Sequence, residues 1–311
     1  MKQNRISIVI PVFNEKESLR PLVSGLVEVQ TKSSEYFEYI FIDDGSSDGS
    51  FEELLRIKKT LKLDCKIIRL RRNLGKSAAL SVGFVHARGE YVITMDADLQ
   101  DDPNEIPGIL GKLEEGYDLV VGWRQKRNDI GGKIRLSKVF NTVVSWMMKL
   151  PLHDMNCGLK GMRLVVAKEI DLYGELHRYI PVLAAARGFR VTEVAVRHHE
   201  RVHGVSKFGF ERVLRAPFDL ITTLFLTSYK TRPLHIFGLF GLLIGLMGIV
   251  PLLYLTYLHF IGISIGRRPL LQMGVLFVLF GVQLFSTGLL AELFVSSRAE
   301  KDTYPVREII E

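Results

Sequence analysis

Residues 91–103, YVITMDADLQDDP, decide how this chain is read. Tyr91, Val92, Ile93, Thr94 and Met95 form an apolar-rich run that stops at Asp96-Ala97-Asp98. That is the pattern of a buried strand delivering carboxylates to its C-terminal edge. In an extended segment residues i and i+2 point the same way, so Asp96 and Asp98 address one point in space. Hard oxygen ligands at that spacing suit Mg²⁺ or Mn²⁺, which bind through one or two carboxylates and complete their shells with substrate phosphates. Gln100, Asp101 and Asp102 follow within reach. An acidic loop at a strand end is the plain alternative, and the neighbouring segments decide between the two.

Upstream, the spacing predicts strands over 6–11, 39–42 and 66–70, alternating with helical patterns over 17–29, 51–61 and 76–87. Strand–helix alternation of this kind predicts an α/β domain, a Rossmann-like parallel sheet with helices on both faces. Polar clusters fall at the strand C-termini, where open α/β sheets bind ligands: Asn14-Glu15 after the first, Asp43-Asp44-Gly45 after the second. Downstream, a helix is expected over 104–115 and strands over 119–121 and 191–198. A basic segment (Arg124, Lys126, Arg127, Lys133, Arg135) interrupted by Gly131-Gly132 predicts a loop, followed by a helix towards Lys149.

At 311 residues the chain has room for one large domain or two small ones, and 47% hydrophobic content is high for a soluble enzyme. The excess is C-terminal. Residues 234–261 and 270–291 contain no Asp, Glu, Lys or Arg; each run exceeds the ~20 residues that span a bilayer core. The expected organisation is a catalytic domain over 1–209, amphipathic juxtamembrane helices over 210–231, two transmembrane helices within 232–297 (234–261 and 270–295), and a tail over 298–311. No signal peptide precedes Ile6, so the large domain and the tail are expected in the cytoplasm. Lys230, Arg232, Arg298 and Lys301 outnumber Arg267 and Arg268 of the short loop, as the positive-inside rule asks. Gly238, Gly241, Gly245 and Gly248 in the first span let helices approach closely, either the two spans or two subunits of a homo-oligomer.

The formal net charge is +7. No nucleic-acid motif accompanies it, so anionic lipid and phosphorylated substrates are the expected partners. Cys65 and Cys157 have no metal or redox spacing and read as reduced thiols.

Val9-Ile10-Pro11-Val12-Phe13-Asn14-Glu15, Asp43-Asp44-Gly45-Ser46, Asn73-Leu74-Gly75-Lys76 and Asp96-Ala97-Asp98-Leu99-Gln100 occur in the order seen in family 2 glycosyltransferases with the GT-A fold. The resemblance covers residues 5 to 210. With the two apolar runs added, the chain is similar to the polyprenyl-phosphate glycosyltransferases, the group of dolichyl-phosphate mannose synthase and the bacterial lipid-linked glucose and aminoarabinose transferases. The resemblance implies that Asp43 hydrogen-bonds the nucleotide base, with Pro11, Asn14, Glu15 and Asp44 shaping the nucleotide-sugar pocket. A plain turn is the alternative for Asp43-Asp44-Gly45. Asp98, helped by Asp96 and Gln100, would hold the metal on the diphosphate, Asp96 also facing the donor, and Lys76 is either a phosphate contact or a solvated lysine.

Asp154-Met155-Asn156-Cys157-Gly158 resembles the family's Asp-x-x-Cys-Gly segment beside the sugar, which makes Asp154 the candidate catalytic carboxylate. A polyprenyl phosphate is already an anion at neutral pH, so Asp154 acts either as a base or by orienting the sugar and steadying charge at C1. Residues 199–207 resemble the stretch that precedes the membrane in these enzymes. Arg124, Arg135, Arg201 and Lys207 are the acceptor-side candidates, cations that would bind the lipid phosphate and stabilise the leaving diphosphate; a solvated basic face is the plain alternative for any single one of them.

The implied activity is inverting, metal-dependent transfer of a hexose from a nucleotide sugar to polyprenyl (undecaprenyl) phosphate at the cytoplasmic face of a bacterial inner membrane. UDP-glucose is the expected donor. GDP-mannose, UDP-N-acetylhexosamine and UDP-aminoarabinose are the alternatives. A processive polysaccharide synthase would carry Gln-x-x-Arg-Trp, whereas Trp123 and Trp146 follow Gly122 and Ser145. A non-catalytic lipid-binding scaffold would have lost the carboxylates or the cations, and all are present.

Overall fold

The structure, a computed structural model, describes residues 5–33, 35–61, 63–125, 152–200, 233–266, 268–297 and 306–310. The chain divides into two compact units, Met1–Thr223 with Thr303–Glu311, and Leu224–Asp302.

The first unit is built on β1 (Arg5–Val12), β2 (Tyr36–Asp43), β3 (Cys65–Leu70) and β4 (Tyr91–Thr94), joined by α1 (Lys16–Lys32), α2 (Ser50–Leu61) and α3 (Lys76–His86). Ile6, Ile8, Val9 and Ile10 of β1 are all fully buried, as a central parallel strand covered on both faces requires. α1 and α2 bury single stripes. In α1 these are Leu19, Leu22, Val23, Leu26 and Val29, the helical spacing of an amphipathic face. α3 lies tight on the sheet: a Cβ at Gly83 would stand 2.3 Å from Val9 Cγ1.

A short 3₁₀ turn (Pro103–Glu105) leads into α4 (Ile106–Glu114), then β5 (Leu119–Arg124), β6 (Lys160–Arg163), α5 (Leu164–Glu169), α6 (Ile180–Ala186) and β7 (Val191–Val196). The last strand, β8 (Val306–Ile310), completes an eight-stranded sheet of order β7-β5-β6-β4-β1-β2-β3-β8. β6 runs antiparallel to β4 and β5, and β8 antiparallel to β3; the other pairs are parallel. The sheet is therefore mixed, where strand–helix alternation alone predicts a parallel one. The difference lies in β6 and β8, the two antiparallel additions to the parallel strands.

The second unit contains α7 (Pro233–Phe260) and α8 (Pro269–Ser297). Both are of membrane-spanning length and apolarity, and most of their surface is exposed, unlike core helices of a soluble fold. The glycines of the first span serve the contact between the two helices. A Cβ at Gly241 would meet Gly281 O at 2.7 Å, and one at Gly248 would meet Gly274 O at 2.6 Å. Small residues at such crossings let backbones touch. The expected juxtamembrane helices over 210–231 and the helix towards Lys149 lie outside the described residues.

Candidate active site

The motifs converge on the C-terminal ends of β1, β2 and β4. The turn after β1 is laced to the turn after β2. Asn14 N donates to Ser46 Oγ at 3.0 Å, Ser47 N to Asn14 Oδ1 at 2.9 Å, and Glu15 N to Ser50 Oγ at 3.0 Å. Asn14 takes φ 53° to make this corner, a left-handed conformation that asparagine tolerates better than most residues. Gly45 is required outright, because a Cβ there would lie 2.6 Å from the Arg72 carbonyl carbon. Pro11 is half-buried at the floor of this corner.

Asp43 and Asp44 are both buried. Asp43 Oδ1 accepts from Ser46 N at 3.1 Å, while Oδ2 lies 3.3 Å from Arg69 Nε and makes no hydrogen bond among the described residues. Burial raises the Asp43 carboxyl, and the Ser46 hydrogen bonds and the Arg69 charge only partly offset it. Asp44 instead accepts from Leu74 N at 2.7 Å and Gly75 N at 2.9 Å. Asp43-Asp44-Gly45 is thus a turn, the plain reading, and also the clasp that joins the second motif to Asn73-Leu74-Gly75-Lys76.

Lys76 is neither a solvated lysine nor without a partner: its Nζ stands 2.5 Å from Asp96 Oδ1. Burial raises the Asp96 carboxyl, but Lys76, with Lys160 and Arg124 adding, outweighs it and holds Asp96 below the usual carboxylate range. Asp98 is buried, and its Oδ1 accepts from Gln100 N at 3.2 Å. Between them Leu99 adopts φ 63°, a strained conformation for a branched residue and of the kind that collects at functional sites. Asp101 closes the cluster, its Oδ2 accepting from Asp96 N at 3.3 Å. Burial, then the charges of Asp96 and Asp98, push the Asp101 carboxyl up to about 7.

Three carboxyls, Asp96, Asp98 and Asp101, thus crowd together at the end of β4. A hard divalent cation fits that donor set. Among the described residues no three His, Cys, Asp or Glu side chains converge on a metal position; a cation on Asp96, Asp98 and Gln100 would need phosphate and water to complete its shell.

On the far side of this cluster lies the segment 152–158. Arg124, at the end of β5, donates from Nε to Asp154 Oδ2 at 2.7 Å and from Nη2 to Asp154 Oδ1 at 3.1 Å. This two-point pair outweighs burial and keeps Arg124 charged. Thr94 Oγ1 donates to Gly158 O at 2.8 Å, and a Cβ on Gly158 would stand 2.6 Å from Asp96 Oδ2. The segment that bears Asp154, the candidate catalytic carboxylate, and the acidic loop are therefore in contact. Cys157 is no nucleophile: burial, then Asp101, pushes its thiol up to about 12.

Sequence reasoning passed over Lys160. It is buried, donates to Cys157 O, and is pulled down to about 8 chiefly by burial. It also missed the docking of residues 197–199 on the acidic loop. His199 N donates to Gln100 O at 2.8 Å, His199 Nε2 lies 3.3 Å from Asp102 Oδ2, and Asp101 and His198 form an antiparallel bridge. The adjacent histidines in RHHE facing Asp101-Asp102 were the only signal available. Arg135, Arg201 and Lys207 lie outside the described residues.

Comparisons with known proteins identify the family. Residues 7–170 match the model of Glycosyl transferase family 2. A dodecaprenyl-phosphate galacturonate synthase of Rhizobium johnstonii is 39% identical over 98% of this chain and 93% of its own length. An undecaprenyl-phosphate 4-deoxy-4-formamido-L-arabinose transferase of Edwardsiella ictaluri is 36% identical over 75% of this chain and 71% of its own. Among solved structures, glucosyl-3-phosphoglycerate synthase of Mycobacterium tuberculosis with Mn²⁺, uridine diphosphate and phosphoglyceric acid superposes with a TM-score of 0.57 at 17% identity, over 73% of this chain and 79% of that one. That likeness shows the GT-A fold. With its motifs, sheet and acidic loop in place, the chain belongs to glycosyl transferase family 2 and is a glycosyltransferase.

Proposed function

We propose that this enzyme transfers a galacturonate residue from a uridine-diphosphate donor to a polyprenyl phosphate, with inversion at C1, at the cytoplasmic face of a bacterial inner membrane. The observation that carries this reading is the 39% identity to the dodecaprenyl-phosphate galacturonate synthase, which runs through both apolar helices as well as the catalytic domain. The UDP-glucose expectation gives way here, because the curated relatives at this identity are described with galacturonate and formamido-arabinose. A 4-formamido-arabinose donor is the second reading, supported by 36% identity over a smaller share of the chain.

A bound Mg²⁺ or Mn²⁺ would neutralise charge on the departing diphosphate, with Asp96, Asp98 and Gln100 holding it. The protein's own groups account for the rest. Asp43 Oδ2, buried without a hydrogen bond, is the acceptor that a nucleobase N–H would fill. Lys76 is placed to leave Asp96 for a phosphate oxygen when the donor enters. An oxygen of the lipid phosphate attacks C1 as the C1–O bond to the nucleoside diphosphate breaks, and no proton need move because the acceptor is already ionised. Asp154, fixed by Arg124, faces that carbon as a charge stabiliser and sugar orienter. Arg135, Arg201 and Lys207 are assigned to the acceptor phosphate.

The test is transfer of labelled sugar into an organic-extractable lipid, using purified protein, undecaprenyl phosphate, Mn²⁺ and a panel of UDP-galacturonate, UDP-glucuronate, UDP-glucose and UDP-4-formamido-arabinose. Label from UDP-galacturonate alone, lost on chelation and in Asp98→Asn, supports the proposal. Label from UDP-glucose at equal kcat/KM sinks the sugar assignment.

A further inference from the structure

Asp154 is held by more than Arg124. Trp123 and Arg124 are consecutive in β5, so their side chains leave opposite faces of the sheet. On one face Arg124 makes its two-point pair with Asp154. On the other, the Trp123 ring stacks on His153, with centroids 4.2 Å apart and planes inclined by 15°. Glu193 of β7 completes that second grip. Its register partner is Val121, which places it on the Trp123 face. Glu193 Oε2 accepts from His153 N at 2.7 Å, and Oε1 pairs with His153 Nδ1. The dipeptide His153-Asp154 thus straddles the end of one strand, gripped by adjacent strand residues on either side.

The grip is asymmetric in exposure. The Asp154 side chain is 2% exposed and that of His153 64%, whereas Glu193 is 13% exposed. An ion pair with so exposed a histidine contributes little to stability. Its geometric content is larger: a backbone N–H, a ring nitrogen and a ring face are all fixed on one residue, next to the carboxylate that needs placing. A misplacement of about 1 Å at a reacting centre can cost on the order of 100-fold in rate.

We infer that Trp123, His153 and Glu193 are positioning residues, a clamp that sets the Asp154 carboxylate against the sugar. The inference rests on the reading of Asp154 as the carboxylate at C1. The chain has two tryptophans, Trp123 and Trp146, so Trp146→Phe leaves Trp123 as the sole reporter of the stack. In that background His153→Ala and Glu193→Ala are expected to change Trp123 emission and to lower kcat by ~10- to ~100-fold, with the donor KM within about twofold. His153→Phe, which keeps the stack, and Glu193→Gln, which keeps an acceptor for the His153 N–H, should each recover most of kcat at an unchanged melting temperature. Asp154→Asn should be equally slow while Trp123 emission stays as in the parent. An inactive Asp154→Asn beside fully active His153→Ala and Glu193→Ala overturns the clamp alone. A fully active Asp154→Asn overturns the clamp together with the role of Asp154. A loss carried by KM, or one that the conservative variants fail to rescue, also overturns it.

Discussion

Removing Arg124 should be the most damaging single truncation at this site, and its size can be worked from the geometry. Asp154 is 2% exposed and Arg124 14% exposed, joined by hydrogen bonds of 2.7 and 3.1 Å. Arg124→Ala strands a buried carboxylate, and breaking a buried pair in this way costs about 3–5 kcal/mol. Lys160, a buried cation nearby, donates to the Cys157 carbonyl and so does not replace the two-point pair. For a domain of roughly 200 residues each kcal/mol moves Tm by about 2–4 °C, so a fall of about 6–20 °C is expected. Arg124→Lys keeps the charge but loses the fork, and should lie between the parent and Arg124→Ala. The double variant Arg124→Ala, Asp154→Ala removes the stranded charge and should be more stable than Arg124→Ala alone, a coupling that double-mutant cycles read directly. Thermal unfolding of the detergent-solubilised protein in the Trp146→Phe background, followed by the emission of Trp123 beside Arg124 and with Asp154→Ala included to complete the cycle, gives all five values. A loss below about 1 kcal/mol in Arg124→Ala, the worth of an exposed pair, would refute the argument.

Gly158→Ala places a methyl 2.6 Å from Asp96 Oδ2 and 2.8 Å from Asp101 Oδ2; overpacking of about 1–3 kcal/mol is expected, with a clear loss of Mn²⁺ affinity in a titration that does not depend on turnover. Asp101 carries a pH signature. An acid whose folded pKa, about 7, lies above its unfolded value binds its proton more tightly when folded, so metal-free protein should lose stability as pH rises from about 4 through about 7. Asp101→Asn should flatten that slope in melting curves, and an unchanged slope would contradict it. In the helical unit, Gly281→Val would drive a side chain into Gly241 O, 2.5 Å from the Cβ position; cysteine cross-linking between α7 and α8 should weaken, and undiminished cross-linking would count against the packing.

Much of this was legible from the chain itself, for identifiable reasons. β1, β2 and β4 are apolar on both faces and end in polar turns, so pattern and position coincide. The position of the acidic loop could be read because the apolar run of β4 ends just before it, but its shape could not, since Ala97 and Asp98 turn instead of extending the strand. β6 was not legible. Lys160-Gly161-Met162-Arg163 has two charges in four residues, and nothing in the pattern says that Lys160 is buried. Gly161 is there because α4 presses on it, a Cβ standing 2.2 Å from Ile109 Cγ2, and that is a tertiary fact. β8 escaped for another reason: five residues near the chain end show no period until β3 pairs with them. The roles of Asp43 and Asp44 were half visible. Their turn chemistry reads from residue type, but the reach of Asp44 to Leu74 and Gly75 spans 30 residues or more.

The pairing of β8 with β3 changes what the apolar hairpin is. It is an insertion within one sheet, because the chain leaves the catalytic unit, runs through α7 and α8, and returns to close the sheet's last edge. The chain segments on both flanks of the helical pair therefore belong to one sheet. The pairing also sets an order of assembly. Until both helices are synthesised and inserted, β3 presents an open row of backbone donors and acceptors, the kind of edge that invites pairing with another chain. The strand that covers β3 thus becomes available only after α7 and α8 have been synthesised.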